Sequence, residues 1–192
     1  MRRAICLVSL ICLAAINAGC APEGASAGAT RRLPTTTSTV SLVEQAITKT
    51  PTLIVNGYAI LPNANLASAD LSVANLRDVN LAGADLTGAI LNISCLAGAN
   101  LKAARLAGAR MYRANLVGAD LNDADFSGAN MAGADMVGAS LRRANLSGAN
   151  LDAANLINAD LRNADLTGAS LVGIYWDTTT KWTHGFEAPP SA

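Results

Sequence analysis

The chain has very few aromatic residues: two Trp, three Tyr and two Phe, 4% of 192. Ordinary cores take much of their buried area from large rings, so an interior here must be narrow, regular and built from Leu, Ala and Val. Net charge is missing as well, with 14 Lys and Arg against 14 Asp and Glu. Such a balance argues against a polyanion-binding protein and against a strongly acidic mimic of one, so no nucleic-acid partner is expected. His184 is the only histidine and lies near the end of the chain. No Cys/His spacing suggests zinc, no glycine-rich loop joins a strand to a helix, and no nucleophile stands beside a base. The reading is therefore of a non-enzyme with no cofactor and no metal. The chain has too few cysteines for a disulfide framework: Cys6, Cys12, Cys20 and Cys95 are all it has.

The N-terminus does carry an apolar stretch. Arg2 and Arg3 precede a largely apolar stretch of 13 residues, Ala4 to Ile16, interrupted only by Ser9. That run is too short to span a bilayer comfortably but suits a secretory signal, expected over residues 1–19. At its end, Asn17-Ala18-Gly19-Cys20 resembles the lipobox of bacterial lipoproteins, with Asn17 where leucine is usual. In that family the cysteine is acylated and becomes the mature N-terminus. The resemblance thus implies lipid attachment at Cys20 and a chain held on a bacterial membrane, facing the periplasm or the exterior. Cleavage near Ala18 or Ala21 without acylation would instead leave a secreted or periplasmic protein. Cys6 and Cys12 would leave with the signal. A Cys20–Cys95 bridge requires Cys20 to escape acylation, and nothing in the sequence supports one, so Cys95 is read as a tolerated small residue.

Residues 20–40 hold small, Thr-rich and Pro-containing sequence without apolar periodicity, which predicts a flexible tether. Within an N-terminal cap at 41–63, Ser41–Thr48 has the capping box of a short helix, with Ser41 and Glu44 placed for it. Thr52–Leu61 reads as a strand or a hairpin around Asn56-Gly57.

From residue 64 one pattern takes over. Position 66 and each fifth residue to 171 is Leu, Met or Phe, 22 in succession. Alanine stands two places before in 20 of the 22, the exceptions being Val79 and Ser94, and 11 of the residues two places after are glycine. Neither regular structure carries this period. On an α-helix five residues advance about 500°, so successive leucines would circle the axis. On a straight strand an odd spacing flips each one to the other face. Every fifth residue points inward only if the chain turns a corner every five residues. Stacked turns of this kind form a solenoid.

The unit A-(D/N)-L-x-x, as in "ANLAS", "ADLTG" and "ANLVG", resembles the pentapeptide-repeat family. The match covers 110 residues, Ala64 to Gly173, without a phase slip. The resemblance implies an all-β fold, a right-handed quadrilateral β-helix of about 5.5 coils with short caps. It also implies a closing segment at 174–192, with Trp182 and Phe186 over the last coil. At about 4.8 Å per coil the stack is about 26 Å tall.

Columns of residues 20 apart then define the outer walls. The first is flat, with Thr87, Ala107, Ser127, Ser147 and Thr167. The second is mixed, with Arg110, Tyr112, Arg113 and Asp152. The third carries an apolar stripe of Val117, Val137 and Ile157, either a docking or dimer surface or simply good wall packing. The fourth has a basic stripe of Lys102, Arg142, Arg143 and Arg162, which suits anionic headgroups or an acidic partner, although Asp120, Asp123 and Asp160 share it. The Asn and Asp before each Leu are read as fold residues rather than ligands.

Three functions fit these features. The first is a lipid-anchored scaffold offering its walls to an envelope protein or polymer, or to a second copy through exposed strand edges. The second comes from the family, some of whose members are DNA mimics that bind DNA gyrase and protect it from quinolones. Those proteins are cytoplasmic and markedly acidic, whereas this repeat region has 10 Asp and 8 Lys/Arg, a net of −2 (8 − 10), and no inserted loop. The third is a spacer whose walls bind nothing.

Overall fold

The computed structural model describes residues 52–192. The expected signal, tether and Ser41–Thr48 helix lie outside them.

From Asn65 onward the chain winds through parallel bridges between residues 20 apart, beginning with Asn65↔Asp85 and repeating every five residues. Four five-residue sides therefore make one coil, and no helix occurs among the described residues. Each side is too short to form a strand. It has a single bridging residue between an inward Ala and an inward Leu, followed by a two-residue corner. Most corners are closed by an i→i+3 hydrogen bond, such as Ala129 N–H to the Phe126 carbonyl at 2.9 Å. Each side is also tied to its neighbours above and below: Phe126 N–H donates to Asn145 O at 2.7 Å and Asn130 N–H to Ala109 O at 2.9 Å.

The second corner residue, from Ser68 to Gly173, has positive φ in all 22 cycles. This explains the glycines there and the recurrent Asn and Asp among the substitutes. Val73 (φ 58°) and Ile93 (φ 58°) are the costly occupants, because a β-branched side chain crowds its own backbone in this region. Val73 is 54% exposed, so it gains little burial in return. Val73→Asn should raise stability by about 1 kcal/mol by relieving that crowding. Thermal unfolding reads the gain, and an unchanged Tm would mean the corner carries no strain.

The core is a column of inward Leu and Ala, nearly all fully buried, with Phe126, Met111, Met131 and Met136 in leucine positions. The two departures at the alanine position also face inward. Val79 is half-buried, and Ser94 hides its hydroxyl by donating to the Leu91 carbonyl at 2.7 Å.

Both ends are covered. At the N-terminal end β1 (Leu53–Val55) and β2 (Tyr58–Ile60) pair antiparallel around Asn56-Gly57. Both turn residues have positive φ, 50° and 84°, as a tight two-residue hairpin demands. Ile60 and Val55 pack under the first coil, and the Asn56 amide donates to the Asp70 carbonyl at 3.0 Å. At the other end the ladder continues past residue 173 to Tyr175 and, after one inserted residue, to Lys181, which pairs with Asp160. Trp176 and Trp182 each follow a bridging residue as the leucines do, and the larger rings close the tube. They meet edge to face at 5.7 Å, and Phe186 stacks on Trp182 at 5.2 Å. Trp176 Nε1 donates to the Pro189 carbonyl at 2.8 Å, holding the last residues against the final coil.

Candidate interaction faces

The Asn and Asp residues before each Leu serve the backbone. Asn130 Oδ1 accepts the N–H of Ala132 at 3.2 Å, and the same bond to the residue two ahead recurs along the stack. Where the position is not Asn or Asp, a side chain from the coil below can take over. With Arg110, Ser140 and Ser170 in that place, the N–H groups of Tyr112, Arg142 and Val172 are accepted by Asn92, Asn122 and Asp152. The carboxylates are thus spent on the corners, and among the described residues no group of acids, His or Cys is arranged to hold a metal ion.

The basic stripe is largely neutralised. Arg143 makes a two-pronged bond to Asp123 one coil below, at 2.6 and 2.7 Å. Arg162 does the same to Asp160 beside it, at 2.8 and 2.6 Å. These guanidinium hydrogen bonds hold both carboxyls below the ordinary carboxylate range. Lys102 and Arg142 make no ion pair among the described residues, so the wall is mixed and not a continuous cationic strip.

Val117, Val137 and Ile157 are half-buried, packed into the third wall. The more exposed large apolar groups lie elsewhere. On the second wall Tyr112 is 44% exposed beneath the Arg113 guanidinium, 5.4 Å from its ring centre, and Val73 is exposed on the same wall, two coils below Arg113. Leu53, Ile54, Tyr58 and Leu61 are exposed at the N-terminal end, and Val172 and Tyr175 at the other.

At the foot of the apolar stripe the structure corrects the reading of Cys95. This residue bridges in line with Asn75 and Asn115, a position whose side chain points outward, yet it is 3% exposed and disulfide-bonded. Its partner lies outside the described residues, because the other three cysteines all precede residue 52. Ala97, which shares its column with Val117, is likewise buried at 6%. Cys95 was missed because the repeat predicts which way a side chain points, not what covers it.

His184 is exposed in the C-terminal cap, on a cleft of about 330 Å³ formed with Ala164–Thr167, Thr183, Gly185 and Phe186. Asp165, the acid in that cleft, already accepts the Thr167 hydroxyl and N–H, which lower its pKa.

Four sides per coil, one inward pair per side and parallel coil-to-coil pairing define a right-handed quadrilateral β-helix. The family model for pentapeptide repeats matches residues 59–92, 94–133 and 134–173 in eight copies, and the chain belongs to that family. Members of the family are generally structural or binding proteins. Among solved structures, the chain is similar to the pentapeptide repeat protein Rfr23 from the cyanobacterium Cyanothece 51142, with 39% identity over 48% of this chain and 63% of that one, TM-score 0.48. It is also similar to a pentapeptide repeat protein of the Arabidopsis thaliana thylakoid lumen, with 35% identity over 52% and 63%, TM-score 0.29. The chain thus spans less than two thirds of the length of either protein. Full-length QnrB1, a plasmid-mediated fluoroquinolone resistance protein, shares 22% identity over 60% and 81%, TM-score 0.32. No curated protein matches the chain.

Proposed function

We propose that this chain is an exported, non-enzymatic scaffold of the bacterial cell envelope, a rigid post whose walls contact an envelope protein or polymer. The observation that carries this reading is how the wall polar groups are used. Asn and Asp side chains satisfy the corners, and Arg143 and Arg162 are tied to Asp123 and Asp160. What remains is a stiff surface for display, and the secretory signal read at residues 1–19 supports an exported compartment. The basic and acidic groups on the fourth wall neutralise each other, which fits gyrase-binding DNA mimicry poorly.

Cys20 has two competing fates. Acylation would anchor the scaffold to a membrane, while cleavage near Ala18 or Ala21 without acylation would leave a secreted or periplasmic protein. A disulfide at Cys95 fits the oxidising compartment that export reaches.

The test exports the full chain from a bacterium and cross-links whole cells, beside a variant with Val117→Ser, Val137→Ser and Ile157→Ser. Cross-linked adducts should form in the envelope and fall severalfold in the variant, with circular dichroism unchanged. Undiminished adducts would remove the third wall from the interaction. No adducts on either chain would make the walls a spacer.

A further inference from the structure

We propose that the C-terminal end of the stack is a docking edge for an extended peptide of a partner protein, which adds to the first and second walls as the next turn of the ladder. The site lies apart from the wall faces and serves equally in any compartment.

The last residues leave these two walls uncovered. Lys181 pairs with Asp160 on the fourth wall, and Ala192 N–H donates to the Ile174 carbonyl on the third at 2.9 Å. That bond repeats the one from Tyr175 N–H to Ala154 O a coil below, so Ala192 already sits at the level of a further coil. It arrives there 11 residues after Lys181, where three more sides of five residues would take 15. The closing segment therefore cuts across the end from the fourth wall to the third, with Phe186 packed on the core between them.

Above the first and second walls the ladder stays open. Within the stack Asn145 N–H donates to Ala124 O, while Phe126 N–H and Gly128 N–H donate to the carbonyls of Asn145 and Ser147. On the last coil the equivalent N–H groups of Leu166, Gly168, Leu171 and Gly173 find no acceptor among the described residues, and the carbonyls of Ala164 and Ala169 no donor. A cleft runs beside each open stretch. One is the cleft of about 330 Å³ along Ala164–Thr167; the other, about 530 Å³, lies between Leu171–Gly173 and Phe186, Pro189 and Pro190. An extended backbone supplies the missing donors and acceptors in this alternation. The end of a second copy does not reach the edge, because the closing segment of each copy fills the level about 4.8 Å above it. A single strand fits beside that segment.

The columns set the sequence the edge takes. A residue above Asp165 stands where Arg105 stands above Asp85, with 3.5 Å between their charged groups, so Lys or Arg belongs there. Asp165 is ready as a carboxylate, since its bonds from Thr167 lower its pKa. The next residue shares its space with Phe186 and is small. Six positions after the cation, a side chain enters the larger cleft beside Leu171 and the two prolines, which suits Leu.

The experiment adds the blocked peptide Ala-Arg-Ala-Ser-Gly-Ala-Asn-Leu-Ser-Gly to the isotope-labelled full chain, with fluorescence anisotropy and amide NMR as readouts. Saturable binding is expected, with the amides of Leu166, Gly168, Leu171 and Gly173 shifting most. Methylating the backbone nitrogens of the peptide's Arg and Asn removes the donors for the Ala164 and Ala169 carbonyls and keeps every side chain. Binding should then weaken about tenfold or more. Asp165→Asn, which keeps an acceptor for Thr167, should weaken binding severalfold and leave a peptide with Gln for Arg unaffected. No saturable binding, equal affinity for the methylated peptide, or shifts centred on the wall faces overturns the edge as a peptide site. A dimer in sedimentation, with the same four amides slow to exchange before peptide is added, also overturns it and makes a second copy the occupant.

Discussion

Phe126→Ala is expected to cost about 3–5 kcal/mol of stability. Phe126 is the largest fully buried side chain, in a core otherwise made almost entirely of Leu, Met and Ala. The size of the loss depends on how far the surroundings collapse into the space left behind. In a globular core, helices and loops shift to recover contacts. Here each neighbour is fixed from above and below: Phe126 N–H donates to Asn145 O above, and Asp125 N–H donates to Ala104 O below. Drawing one wall inward would stretch ladder bonds in the adjoining coils as well, so most of the cavity stays open. Leu166→Ala, in the last full coil where the leucine is already 8% exposed, should cost markedly less. Urea or thermal unfolding followed by circular dichroism compares the two, at about 2–4 °C of Tm per kcal/mol for a chain of this size. Equal small losses, below about 1 kcal/mol, would show that the walls relax and the tube is compliant. A loss that appears as a second, earlier transition would place the break between coils, as stacks of weakly coupled units allow.

The fold was legible because a period of five has only one inward solution. Leu66 through Leu171 and the alanines before them face the interior, and the corner glycines are explained by the positive φ they adopt. The Asn56-Gly57 hairpin was legible for a local reason, since two adjacent positive-φ residues favour that dipeptide. The candidate faces were less legible. A column of residues 20 apart says which wall a side chain stands on and nothing about its depth. Val117 and Tyr112 both follow an inward residue directly, yet the valine packs into its wall while the tyrosine stands clear of it. Arg143 and Asp123 share a column, so their pairing was within reach of the 20-residue register. Arg162 instead turns back to Asp160 on its own side, a choice made by rotamers. Cys95 was the least legible, because the patch around it is covered by something the repeat does not describe.

Ala129→Leu should destabilise the chain by about 3 kcal/mol, the upper end of what overpacking usually costs. The prediction turns on why alanine holds its place with so few exceptions. Ala129 sits on the same side of the coil as Met131 and shares the cross-section with Phe126, each fully or almost fully buried. One large and one small inward side chain per side fill the section, and the small one lets opposite walls approach. Three added carbon atoms have no gap to enter, and the ladder that prevents collapse equally prevents swelling. Asn130, the next residue, pairs with Arg110 below and Asn150 above, so displacing Ala129 strains two coils at once. The control is the same substitution at Ala67, which is exposed on the first coil and should change stability by no more than about 0.5 kcal/mol. Thermal unfolding of the two variants settles the point. If leucine at 129 is as harmless as at 67, the interior has slack, and the alanines are kept for the backbone path and not for the width of the tube. If it costs the expected amount, the alanine column sets the diameter, and with it the flatness of every wall a partner would meet.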